Sequence, residues 1–76
     1  MDIVIPKPSE KALEKNGWEL ITADDYKWYH KKINNLHVEI TRVTESRYEC
    51  EILDCQDIAL DDLIAIANEL KKLEEN

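Results

Sequence analysis

LHVEITRV, at residues 36–43, alternates strictly between apolar and polar side chains over its first six positions. A period of two is typical of a strand that buries one face and exposes the other. A second alternating run, YECEIL, follows at residues 48–53. The break between the runs is too short for the crossover that parallel strands need, so we predict an antiparallel pair. The polar side chains expected on its exposed face are His37, Glu39, Thr41, Glu49 and Glu51.

The turn at residues 34–35, two asparagines, determines which side chains of the preceding strand are buried. Asparagine tolerates the left-handed backbone conformation that short hairpin turns require. A two-residue turn would pair Ile33 with Leu36 and leave Trp28 outside the core. A three-residue loop would instead pair Lys32 with Leu36, because a slip of one residue moves every side chain to the other face.

We favour the longer loop, since burying a tryptophan beside Ile40 removes more apolar surface from water than burying Ile33 does. This choice places Tyr26 and Trp28 in the core and leaves Tyr29 outside. The shorter turn would bury Tyr29 instead.

The remaining segments predict two further strands and two helices. An apolar stripe at helical spacing runs through residues 60–73, with aspartates in its first turn and lysines in its last, as the helix dipole favours. A brief helix is predicted over residues 9–15, capped by Ser9 and stopped by Gly17. Two more strands are expected at residues 18–22 and 26–32. Residues 3–5, which precede Pro6, form either a short edge strand or a tether.

The sequence therefore predicts a single α+β domain over residues 1–76. In it, an antiparallel meander of three to four strands packs against a C-terminal helix, with a short N-terminal helix beside it.

The amino-acid composition argues against several classes of protein. The 76 residues carry a formal net charge of −7, which argues against a nucleic-acid reader or a protein docked on anionic lipid. Apolar residues make up 43 %, too many for a disordered chain. We find no apolar run of the roughly 18 residues that span a membrane, and no signal peptide. Two cysteines are too few for a disulfide scaffold, so we expect a reduced, cytoplasmic protein.

The negative charge is confined to one part of the chain. Residues 1–44 carry seven acidic and seven basic side chains, whereas residues 45–76 carry ten acidic and three basic ones. Such an acidic surface either keeps a small protein soluble or recognises a basic partner, whose encounter it would accelerate. The candidate partner-binding acids are Glu39, Glu49, Glu51, Asp54, Asp57, Asp61 and Asp62, the last four at the corner between strand and helix.

Two features single out particular side chains on this surface. Glu39 and Glu51 are expected to lie close together across a strand pair, and like charges in that position destabilise a sheet. A binding surface would tolerate this cost. Whichever of Trp28 and Tyr29 stays outside the core would anchor a partner, since aromatic residues dominate binding hot spots, or would simply cover neighbouring lysine stems.

Catalytic and metal-binding patterns are missing from the sequence. A single glycine cannot build a phosphate loop or a dinucleotide fingerprint, and we find no triad order, so we expect no enzyme and no catalytic residue. Cys50 and Cys55 match no redox or zinc spacing. His30 and His37 can approach each other or Cys55 across the hairpin, and two histidines and two cysteines could complete a tetrahedral zinc site. Their spacing matches no family of ligand pairs, so we predict no metal site and no cofactor.

Two stretches, GWELITADDYKWYHKKINNLHVEI at residues 17–40 and DIALDDLIAIANELKKL at residues 57–73, resemble the small acidic accessory proteins of bacteriophages and mobile elements. The resemblance implies a stoichiometric, non-catalytic role in blocking a host or defence protein, as anti-CRISPR inhibitors that imitate nucleic acid do. It assigns no role to an individual residue.

We therefore expect an acidic module that inhibits a basic partner, a nucleic-acid-binding protein or a nuclease, without itself contacting nucleic acid or membrane. A toxin-immunity protein would share these electrostatics. The alternative from another class is a structural domain that forms a homodimer, through the strand at residues 3–5 or through the helix stripe around Ile66.

Overall fold

The computed structural model describes residues 2–74, which form one antiparallel five-stranded sheet and two helices. The elements are β1 Asp2–Ile5, α1 Glu10–Lys15, β2 Glu19–Ala23, β3 Tyr26–Ile33, β4 Leu36–Arg42, β5 Tyr48–Ile52 and α2 Leu60–Lys72. The sheet order is β1-β5-β4-β3-β2, so β2 to β5 form a meander and β1 joins its far edge. The predicted α+β class, meander and helices are confirmed, and residues 3–5 belong to an edge strand rather than a tether.

The turn between β3 and β4 has two residues, so the three-residue loop that we favoured is wrong. Ile33 pairs directly with Leu36. Asn34 and Asn35 both have positive φ angles, 48° and 68°, as the turn type that matches the twist of a hairpin requires. A different tryptophan, Trp18, which lies just before β2, is buried in the core. Burial of Trp28 is therefore not needed to fill it.

One face of the sheet carries the core. Alternate residues of β4 and β5 are buried there and pack with side chains from both helices in one cluster. The buried members are Ala12, Leu13, Trp18, Ile33, Val38, Ile40, Cys50, Ile52, Ile66, Leu70 and Leu73. Both helices therefore lie on the same side of the sheet, as a two-layer α+β domain requires.

The two helices begin differently. The Ser9 hydroxyl accepts a hydrogen bond at 3.0 Å from the backbone N–H of Ala12, and thereby caps α1 as predicted. After α1, Gly17 takes the left-handed conformation, with φ 84°. Ala59 precedes α2 without a side-chain cap, so this helix depends on its packing and on Asp61 and Asp62 in its first turn.

Lys31 joins the sheet to both helices. It lies on the core face of β3, opposite Val38, where alternation would favour an apolar residue. Its Nζ donates to the backbone oxygen of Asn16 at 2.6 Å and to Glu69 Oε2 at 2.8 Å. The hydrogen bond from Lys31 lowers the pKa of the Glu69 carboxyl from its ordinary value of 4.5. These two hydrogen bonds therefore offset the cost of partly burying the Lys31 ammonium group.

We expect Lys31→Met to lower the free energy of unfolding by about 1–3 kcal/mol, because it removes two hydrogen bonds and leaves Glu69 partly desolvated. Glu69→Gln should cost less, and its effect should depend on pH. The Glu69 pKa is lower in the folded than in the unfolded chain, so its contribution is present above the unfolded pKa and lost as the pH falls through the folded one. Urea unfolding at pH 7 and pH 3 measures this. An equal difference between wild type and Glu69→Gln at both pH values would contradict the ion pair between Lys31 and Glu69.

Candidate functional site

The sheet face opposite the helices, called the open face below, is covered by no helix or strand of residues 2–74. Directly paired residues share a face, so the strand register assigns its side chains. These are Asp2, Val4, Glu19, Ile21, Ala23, Tyr26, Trp28, His30, Lys32, His37, Glu39, Thr41, Glu49 and Glu51. Five of them are acidic and one is a lysine.

An acidic row crosses the whole sheet on this face. Glu19 pairs with His30, His30 with Glu39, Glu39 with Glu51, and Glu51 with Asp2. Four of the five strands thus contribute a carboxylate, and β3 contributes an imidazole. The sequence predicts the Glu39 and Glu51 pair, and the structure confirms that these residues are directly opposite. Glu19 and Asp2 were missed, because the pairing of both edge strands had to be known to align them.

Within residues 2–74, the carboxylates of this acidic row form no ion pair. Among residues 2–74 the ion pairs join Lys31 and Lys72 to Glu69, Arg42 to Glu45, and Arg47 to Glu49. None of them involves a member of the row. Because like charges repel across neighbouring strands, the row costs folding free energy.

We expect Glu51→Thr to raise the free energy of unfolding by about 0.2–1 kcal/mol, because it removes repulsion from Glu39 and Asp2 and introduces a strand-favouring residue. Thermal unfolding at low ionic strength measures the gain. The electrostatic part should shrink in 1 M salt, where screening acts within about 3 Å. A loss of stability at low salt would show that Glu51 supports the fold.

A second row, next to the acidic one, is mainly apolar. It runs from Ile21 through Trp28, Thr41 and Glu49 to Val4. Trp28 is half-buried between its neighbours, and its indole N–H has no hydrogen-bond partner among the described residues. Glu49 is held by Arg47 at 3.1 Å. The Trp28 indole nitrogen is itself buried, so the row places a half-buried aromatic side chain, and no accessible donor, beside the line of carboxylates.

Trp28, and not Tyr29, is the aromatic candidate on the open face. The two-residue turn puts Tyr29 opposite Ile40, where it packs against the core. Burial, together with the charges of Glu10 and Glu14, raises the pKa of the Tyr29 hydroxyl. Tyr26, which we expected in the core, is instead 75 % exposed. Both reversals follow from the one-residue difference in turn length.

Four of the predicted acids are not on the open face. Asp54 and Asp57 lie in the connection after β5, and Asp61 and Asp62 lie in the first turn of α2, which packs on the other side of the sheet. Asp62 accepts a hydrogen bond at 3.2 Å from the side chain of Asn34. This corner cluster and the open face are thus two separate acidic surfaces.

His30 and His37 meet on the open face, with 3.0 Å between Nε2 of His30 and Nδ1 of His37. The two cysteines do not join them. Cys50 is buried on the opposite face, where burial raises the pKa of its thiol to about 12. Cys55 donates its S–H to the backbone oxygen of Asp57 at 2.8 Å. Within residues 2–74, no three histidine, cysteine or acidic side chains converge on a common point.

The described part of the chain also contains no helix that is long and apolar enough to cross a membrane. The comparison with known proteins adds no relative: no protein-family model, no curated protein and no solved structure matches this chain.

Proposed function

We propose that the chain is a non-catalytic protein-binding module whose open face binds the basic surface of a nucleic-acid-handling protein and so inhibits it. The observation that carries the proposal is the acidic row, which crosses the full width of the open face and whose carboxylates form no ion pair with the other residues of the described range 2–74. Such a row attracts a cationic partner, whereas in the free protein its charges repel one another. We place this activity in the cytoplasm.

The charge density of the acidic row supports an imitation of nucleic acid. Strands lie about 4.8 Å apart, so a row across five strands is about 19 Å long. Its carboxylates are about 4.8 Å apart from β4 to β1, and His30 on β3 leaves a gap of about 10 Å between Glu19 and Glu39. One strand of nucleic acid carries a phosphate about every 3.4 Å along the helix axis. The row thus presents negative charge at a lower density than a nucleic-acid strand does. The lysines and arginines of a phosphate-binding surface can contact it along a line.

Trp28 supplies the second element of the site. A half-buried tryptophan beside carboxylates suits an arginine, whose guanidinium plane stacks on the indole while its N–H groups bind the acids. Aromatic anchors of this kind provide most of the binding energy in many interfaces. In this proposal the acidic row accelerates encounter, and the contact around Trp28 slows dissociation.

The proposal is tested by titrating the protein with an arginine-rich peptide and following backbone amide and indole N–H resonances. We expect the amides of Glu39 and Glu51 and the indole of Trp28 to shift at low salt, and the shifts to disappear at high salt. Shifts confined to the corner cluster at residues 54–62 would contradict the open face as the binding surface.

A further inference from the structure

The two histidines of the open face are joined end to end. His30 lies on β3 and His37 on β4, at diagonal positions of the hairpin. Their ring centroids are 5.2 Å apart and the ring planes differ by 26°. With only 3.0 Å between Nε2 of His30 and Nδ1 of His37, the rings meet through these nitrogens rather than face to face. Two imidazole nitrogens, both able to bind a metal ion through a lone pair, thus lie next to each other on the open face.

Contrary to the prediction from residue spacing, the geometry points to a two-histidine binding site for a divalent transition-metal ion, Zn²⁺ or Ni²⁺, at His30 Nε2 and His37 Nδ1. Two nitrogens that bind one ion at 2.0–2.1 Å, with a right or tetrahedral angle between them, are about 2.9–3.4 Å apart. The observed separation of 3.0 Å already lies in this range. Imidazole nitrogen is also a ligand that both ions favour.

Metal binding needs only a change of tautomer and ring rotation. In the hydrogen-bonded pair, one of the two facing nitrogens carries the hydrogen and the other accepts it. When the ion binds, each neutral ring keeps its hydrogen on its remaining nitrogen, Nδ1 of His30 and Nε2 of His37. Both facing nitrogens are then free to give their lone pairs to the metal. No backbone movement is required, because the hairpin already brings the side chains together.

Of the charged residues next to the histidine pair on the open face, some favour metal binding and one opposes it. Glu19 and Glu39 flank His30 in the acidic row, and carboxylates next to a ligating histidine stabilise the ion and orient the ring. Lys32 lies opposite His37, and its charge opposes binding. Because no third ligand converges with the pair in the described residues, we expect weaker binding than in a four-ligand structural site.

Titration of the free protein with Ni²⁺ and with Zn²⁺ tests the site. We expect one equivalent to bind and to shift or broaden the imidazole resonances of both histidines, with EDTA reversing the change. Long-range ¹H–¹⁵N spectra with Zn²⁺ should assign the metal to Nε2 of His30 and Nδ1 of His37. His30→Gln and His37→Gln should each weaken binding at least ~10-fold, because either one removes the chelate.

Two variants make the result specific. Cys55→Ser should bind as the wild type does, because the thiol is not part of the pair, and Lys32→Gln should bind more tightly. The amide spectrum of each variant confirms that it folds. The proposal is overturned if the wild type binds neither ion, if either histidine variant binds within twofold of the wild type, or if Cys55→Ser abolishes binding. The assay needs no partner protein, so its failure leaves the proposed function unaffected.

Discussion

Ile66→Ala is expected to lower the free energy of unfolding by about 2–5 kcal/mol. Ile66 is 0 % exposed and lies at the centre of the face with which α2 covers the sheet. Its truncation removes buried apolar surface and leaves a cavity that a thin two-layer core fills poorly. A domain of this size is stabilised by only about 4–11 kcal/mol in total, so the variant should lose a large fraction of its stability. Urea unfolding followed by circular dichroism measures the change.

Ile64→Ala is the matched control, because it makes the same substitution two residues away on the same helix. Ile64 is 48 % exposed, so its truncation should cost less than about 1 kcal/mol. Equal losses for the two variants would mean that α2 does not pack through the face described above.

The double variant Glu39→Lys with Glu51→Lys should abolish binding of a basic partner, with a loss of at least ~100-fold at low salt. Two lysines at the centre of the acidic row turn attraction into like-charge repulsion, which costs several kcal/mol across an interface. The residues are directly opposite, so the variant exchanges one like-charge pair for another. We therefore expect its stability to stay near that of the wild type, and calorimetry with an arginine-rich peptide measures the loss of binding.

Asp57→Lys with Asp61→Lys changes the net charge by the same amount in the corner cluster, where both side chains are exposed. We expect this control to weaken binding only through the general reduction of negative charge. If both double variants lose the same affinity, the binding depends on net charge alone and the acidic row has no special role.

Most of the fold is predictable because its signals are local. The alternation at residues 36–43 indicates a strand, and the stripe at residues 60–73 indicates a helix, without knowledge of long-range contacts. The observed elements, Leu36–Arg42 and Leu60–Lys72, differ from these ranges by one residue. The shared face of Glu39, Glu49 and Glu51 follows from the same local alternation, so the central part of the site is predictable too.

The predicted length of the turn at residues 34–35 was wrong, because the prediction considered the burial of Trp28 without asking whether Trp18 already fills the core. Trp18 occupies the core, and the gain assigned to Trp28 was therefore not available. Local turn chemistry, two adjacent asparagines that both accept positive φ, was the better guide.

Long-range contacts account for what was missed. Lys31 is stable on the core face only because a helix end and Glu69, far along the chain, accept its hydrogen bonds. The alignment of Glu19 and Asp2 with the acidic row depends on how both edge strands pair. None of these contacts has a signature in the spacing of nearby residues.

The central claim, that the open face binds a basic partner, is tested most directly by affinity capture from a bacterial lysate with three forms of the protein. These are the wild type, Glu39→Gln with Glu51→Gln, and the equally charged Asp57→Asn with Asp61→Asn. We predict that the wild type and the corner variant retain the same basic nucleic-acid-binding protein at low salt and release it at high salt, and that the open-face variant retains little. Equal retention by all three forms, or a stable homodimer with no partner, would contradict the account.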